Sequence, residues 1–193
     1  MKREFKMVWN VPNTLTLIRL LLIPVFVLFM AQNRMTAALI VYVSASITDL
    51  VDGYIARKYN QITDFGKLMD PLADKLMILS LMIGMLLKGI VPFAAILLVI
   101  LKDALLIAGG AFLLKKNKVV YSMMLGKVAQ FIIVIALVMC FFHERFAAMG
   151  LPLHLILLWI GIALSIAALF QYAWRNMGQY LPFLRQKGDR KAG

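Results

Sequence analysis

The sequence predicts an all-α integral membrane protein: six transmembrane helices preceded by a short interfacial helix. Three observations predict it. Of the 193 residues, 63% are hydrophobic and the mean hydropathy is +0.87, whereas a soluble domain is roughly half apolar. The apolar residues fall in runs close to the roughly 20 residues needed to cross a bilayer core. The basic residues flank those runs on alternate sides.

The first ten residues mix Lys2, Arg3 and Lys6 with Phe5, Met7, Val8 and Trp9, which suits a short helix lying in the membrane interface. Pro12-Asn13 restarts the chain, and Asn13 is the expected N-cap of a first span over 13–31. No small-x-small cleavage site follows this run, where the sequence reads Leu28-Phe29-Met30-Ala31-Gln32, so it reads as a span and not a signal peptide. Further spans are expected over 36–58, 67–88, 91–114, 120–142 and 152–174. No repeat or low-complexity segment interrupts them, and one domain over 1–193 accommodates the whole.

The charges orient this arrangement. Lys2, Arg3 and Lys6 precede the first span, and Arg57, Lys58 and Lys67 join the second to the third. Lys115, Lys116, Lys118 and Lys127 join the fourth to the fifth, and Arg175, Arg185, Lys187, Arg190 and Lys191 follow the sixth. The other side receives only Arg34, Lys88 and Arg145. The positive-inside rule then places both termini in the cytoplasm. The net charge of +12 fits anionic lipid headgroups and not nucleic acid, because it lies beside apolar runs and no aromatic-basic RNA motif accompanies it.

The single cysteine, Cys140, lies in an apolar run and reads as a packing residue. His143 and His154 are expected at a loop or interface, without a metal. The methionines read as core or lipid-facing residues.

The chemistry lies in the acids. Only nine are present, yet Asp49, Asp52, Asp70 and Asp74 form two pairs at helical spacings, i, i+3 and i, i+4, so each pair shares a helix face. The turn from Tyr59 to Phe65 lets the two helices run antiparallel and bring all four carboxylates to one depth near the cytoplasmic leaflet. A carboxylate in a membrane helix costs about 2.5–3.5 kcal/mol, and four together repel. Two Mg²⁺ or Mn²⁺ ions would cancel that charge, and hard oxygen ligands suit them. Such a pair clamps the attacking and leaving oxygens of a phosphoryl displacement. Gly53 and Ala56 share a face with the first acid pair, and Gly66 lies one turn before Asp70, leaving room for a ligand or a close helix. Arg57 can hold a phosphate by paired hydrogen bonds or anchor the topology. Thr63 can donate a hydroxyl to phosphate.

The segment Asp49-x-x-Asp52-Gly53-x-x-Ala56-Arg57, then eight residues, then Gly66-x-x-x-Asp70-x-x-x-Asp74 resembles the signature of the CDP-alcohol phosphotransferase family. The upstream Pro12-Asn13-Thr14-Leu15-Thr16-Leu17-Ile18-Arg19 is similar to that family's first helix. The resemblance implies a six-helix enzyme of a bacterial-type inner membrane, a homodimer with its active site cytoplasmic. It implies that Asp49, Asp52, Asp70 and Asp74 bind two metals and that Asp74 is also the general base. Asn13, Thr16, Gly53, Ala56, Arg57, Thr63 and Gly66 would line the CDP-lipid site, and CMP would leave.

The run from Asp52 to Lys58 and from Gly66 to Lys75 looks like the branch that joins CDP-diacylglycerol to glycerol 3-phosphate. Lys127 is the first candidate for the acceptor phosphate, with Lys75, Arg19 and Lys102 behind it. The chain departs from that branch at Lys102-Asp103, where an Arg-Glu pair is usual, and at Val128-Ala129-Gln130, where a threonine is often found. Phosphatidylglycerol, as in cardiolipin synthase-like relatives, therefore stays open as an acceptor, and Lys102-Asp103 can also be a structural contact between helices. A cation-coupled transporter is the competing class, because intramembrane acids also serve as relays. It is disfavoured because the acids cluster at one end and no polar path continues outward. A non-catalytic membrane scaffold is disfavoured by the energetic cost of four carboxylates.

Overall fold

A computed structural model describes residues 10–59, 63–115 and 124–177, without the side chains of 49–50, 52–54, 56–57, 64–65, 67–68, 114–115 and 176–177. The described secondary structure is helical throughout: α1 (Val11–Ala31), α2 (Met35–Lys58), α3 (Asp64–Leu87), α4 (Phe93–Lys115), α5 (Met124–Cys140), α6 (His143–Ala148) and α7 (Leu153–Met177). The expected interfacial helix lies outside the described residues. Among the described residues, three helices are long and apolar enough to cross a membrane, over Val11–Ala31, Phe93–Leu113 and Leu153–Arg175, and Met35–Thr48 and Met124–Cys140 are shorter apolar stretches. At about 1.5 Å per residue, a 21-residue helix reaches the ~30 Å of a hydrocarbon core.

A helix is described within each of the six expected segments, three of them long and apolar enough to cross a membrane, with two local corrections. Asn10, and not Asn13, caps α1: its side chain accepts the Asn13 N–H at 2.9 Å. An N-cap must lie outside the helix and accept from the third residue on, and Pro12, with its fixed φ and missing N–H, fits the first turn that follows. The third helix starts at Asp64, three residues early, because Thr63 caps it by accepting the Gly66 N–H at 3.0 Å.

The chain divides into two compact units, residues 1–90 and 91–193. In the first, α1 packs against both α2 and α3, and the α2–α3 contact is the smallest of the three. Phe26, Ala38, Tyr42, Ala73, Leu81 and Met85 fill its core, with the Phe26 and Tyr42 rings 6.2 Å apart. At the opposite end from the acids, Lys88 Nζ donates to Asn33 Oδ1. Asn33 has φ 58° and Gly89 φ 72°, the left-handed conformation that Asn and Gly adopt most readily.

In the second unit α7 is the organising element: α5, α4 and α6 all pack on it. The short α6 was not expected. It carries His143, and it helps cover His154, which is 6% exposed with its ring 6.1 Å from Phe146 and 6.5 Å from His143. His154 is therefore covered by protein and not open on a surface loop. Cys140 is buried as expected, its thiol donating to the Ala136 carbonyl at 3.3 Å.

Two glycines make contrasting predictions. A Cβ on Gly161 would lie 2.7 Å from Ile133 Cγ1 and 3.1 Å from the Ile133 backbone nitrogen, whereas one on Gly84 would meet the flexible end of Met30, Cε at 2.7 Å. Backbone cannot step aside as a methionine can. Gly161→Ala should cost about 1–3 kcal/mol by overpacking the α5–α7 contact. Gly84→Ala should be nearly neutral, helped by the ~1 kcal/mol helix preference of alanine. Thermal unfolding in detergent checks the order, and equal midpoints would mean a looser α5–α7 contact than described.

Candidate active site

The second half of α2 carries Asp49, Asp52, Gly53, Ala56 and Arg57, whose side chains lie outside the described ones. The first three turns of α3 carry Gly66, Asp70 and Asp74. Asp70 and Asp74 are one turn apart and both half-buried. The site is therefore built up from α3 and the start of α1, which holds it.

Two side-chain bonds join these helices. Thr63 Oγ1 donates to Asn13 Oδ1 at 2.8 Å, and Thr16 Oγ1 donates to Asp70 Oδ1 at 2.5 Å. Asn13 and Thr16 are one turn apart on α1, and both are essentially fully buried. Thr63 and Asp70 are two turns apart on α3. Because Thr63 also caps α3, the first bond ties the start of that helix to α1, and the second ties the carboxylate itself.

Gly66 sits between them. A Cβ there would lie 3.1 Å from Asn13 Oδ1, 3.2 Å from Thr63 Oγ1 and 3.4 Å from Asp70 Oδ2. The three nearest side-chain atoms are thus oxygens, and a Cβ would be crowded among them, so glycine lets the two segments close here. Side-chain oxygens gathered in this way are hard donors of the kind a divalent cation takes. Among the described side chains, no group of three His, Cys, Asp or Glu residues comes together, and two of the four expected aspartates are outside that set.

The acceptor candidates divide between the units. Arg19 lies one turn beyond Thr16, and it is 1% exposed. Lys75 follows Asp74 and is half-buried. In the second unit, Lys127 is exposed in the first turn of α5. Lys102 is 6% exposed in the apolar α4, with its Nζ 2.6 Å from Asp103 Oδ1. A buried lysine needs such a partner, and here it is the neighbouring residue on the same helix.

Two site residues escaped the sequence. Asn10 is legible in retrospect, as an Asn two residues before Pro12. Tyr42 is not: it is buried in α2 two turns before Asp49, with its backbone carbonyl accepting from Ser46 Oγ at 2.9 Å, and a tyrosine in an apolar run carries no mark of this.

Known proteins resemble this chain in sequence. A sequence profile of the family described as CDP-alcohol phosphatidyltransferase matches residues 9–167. The CDP-diacylglycerol–glycerol-3-phosphate 3-phosphatidyltransferase of Bacillus subtilis is 30% identical over 184 residues, covering 87% of this chain and 95% of that protein. The protein of the same name from Rickettsia felis is 37% identical over 169 residues, covering 84% and 93%. The cardiolipin synthase (CMP-forming) of Rattus norvegicus is 38% identical over 101 residues, covering 52% of this chain and 33% of the rat protein.

Proposed function

Because the chain belongs to the CDP-alcohol phosphatidyltransferase family, we propose that it transfers a phosphatidyl group from CDP-diacylglycerol to glycerol 3-phosphate and releases CMP. The observation that carries this reading is the similarity to proteins named for that reaction over most of both lengths. The family match extends across both compact units, which supports their working as one domain.

In this reading Asp74 accepts the proton of the acceptor hydroxyl. The acceptor oxygen then bonds to the lipid-side phosphorus as the bond from that phosphorus to the CMP oxygen breaks. Asp49, Asp52, Asp70 and Asp74 would hold two Mg²⁺ or Mn²⁺ ions, which when bound neutralise phosphate charge and lower the barrier to displacement. Arg57 and Gly53, with Ala56 and Gly66, receive the CDP group, and Asn13 and Thr63, bonded to each other, support that site from behind. Lys127 is the first candidate for an acceptor phosphate and Lys75 the alternative, since Arg19 and Lys102 are buried. Six spans, cytoplasmic termini and a homodimer complete the proposal. The fifteen-to-three bias of flanking basic residues supports the orientation.

A second acceptor is favoured by specific observations. The similarity to a cardiolipin synthase covers half the chain, and by the resemblance drawn from the sequence Lys102-Asp103 departs from the Arg-Glu pair of the glycerol 3-phosphate branch. The deciding experiment follows CMP release from CDP-diacylglycerol by purified protein, with glycerol 3-phosphate and with phosphatidylglycerol in parallel. We expect release with glycerol 3-phosphate alone. Release with phosphatidylglycerol alone would transfer the assignment to cardiolipin synthesis, and release with neither would remove the donor.

A further inference from the structure

We infer that Thr16 is a positioning residue: its buried hydroxyl fixes the orientation of the Asp70 carboxylate and does not contact the nucleotide. The inference rests on the proposed reaction, and it changes the role that resemblance alone gives Thr16.

A threonine hydroxyl has one proton to donate. Two acceptors lie near it, the Pro12 carbonyl at 3.0 Å and Asp70 Oδ1 at 2.5 Å. The shorter distance falls in the range of a charge-assisted O–H···O⁻ bond, and the longer one lies at the outer edge for two neutral groups. The proton therefore belongs to Asp70 and is not available to a phosphate or a pyrimidine. Thr16 is 0% exposed, so a ligand has no surface of it to reach.

This bond has a geometric consequence. With Oδ1 held by Thr16, the carboxylate plane is set, and Oδ2 is the oxygen on the side of Gly66, where Asn13 Oδ1 and Thr63 Oγ1 also lie. A carboxylate free to rotate about its terminal bond samples broad, roughly two-fold positions. One tied at a single oxygen from a fully buried partner does not. The Asn13–Thr63 bond ties the start of α3 to α1, so position and rotation are set by separate contacts. Partners of this kind, bonded to a liganding carboxylate, typically contribute 10–100-fold to metal affinity when the carboxylate binds one.

The test compares Thr16→Val, which keeps the shape and removes the hydroxyl, with Thr16→Ser, which keeps the hydroxyl. Mn²⁺ binding to the purified full chain is read by electron paramagnetic resonance, without substrate. CMP release at saturating Mn²⁺ gives kcat and the KM for CDP-diacylglycerol, and thermal unfolding is recorded for each protein. Thr16→Val should bind Mn²⁺ about 10–100-fold more weakly, with a lower kcat and a KM within about twofold of the parent. Thr16→Ser should restore Mn²⁺ affinity to within a fewfold. A raised KM with unchanged Mn²⁺ affinity would make Thr16 a substrate contact and overturn the inference. Lower stability in both variants with unchanged Mn²⁺ affinity would make it a packing residue and also overturn it. Should Thr16→Val not fold, Thr16→Ala carries the same expectations. Absence of Mn²⁺ binding or of CMP release from the parent protein itself would instead overturn the proposed reaction.

Discussion

Asp74→Asn is expected to lose about 10²–10⁴-fold in kcat, the range that a positioned general base contributes, while the protein inserts and folds as the parent does. Asparagine has the same shape as aspartate but no basic oxygen, and Asp74 is half-buried on the same helix as Asp70, so packing should change little. An alcohol proton is far too weakly acidic to leave unaided near neutral pH. Without Asp74 it must go to solvent, and the residual rate should rise steadily with pH. The measurement is the kcat for CMP release across a pH series, with circular dichroism and gel filtration as controls for the fold. Turnover near that of the parent would remove Asp74 from the role of base. A large loss without any pH dependence would leave it a ligand or positioning role only.

Much of this site was legible in the sequence, for a physical reason. Aspartates are costly in membrane helices, so two pairs at helical spacing between residues 49 and 74 mark a site before any coordinates are known. The helices were equally legible, because apolar runs of limited length end at charges, glycines and prolines. What escaped was tertiary. Asn13 meets Thr63 across 50 positions, and Thr16 meets Asp70 across 54, and no periodicity within one segment encodes such a pairing. Thr63 is the instructive case. Its hydroxyl reads as a phosphate donor in isolation, but the fold uses it to cap α3 and to hold Asn13. The burial of His154 was missed in the same way, because it depends on α6, a six-residue helix without a recognisable periodicity.

Removal of divalent cations should reduce turnover by at least about 100-fold and also lower the unfolding temperature. The two effects share one cause. If four carboxylates converge at one membrane depth, the empty site carries uncompensated repulsion, and each carboxylate adds a desolvation cost of about 2.5–3.5 kcal/mol. Cations that bind only the folded protein stabilise it by mass action, about 2.7 kcal/mol at one hundred times the dissociation constant. Dialysis against a chelator should therefore lower both activity and melting temperature, and Mg²⁺ or Mn²⁺ should restore both. Ca²⁺ should restore less activity, because it prefers longer bonds and more ligands. Asp70→Ala supplies the internal control: with one of the expected ligands gone, added Mn²⁺ should raise its melting temperature much less than it raises the parent's. The side-chain oxygens gathered about Gly66 favour this outcome by their chemistry, and the paired acids favour it by charge. Activity that survives exhaustive chelation, with an unchanged melting temperature, would contradict both arguments and leave the four aspartates without a reason to converge.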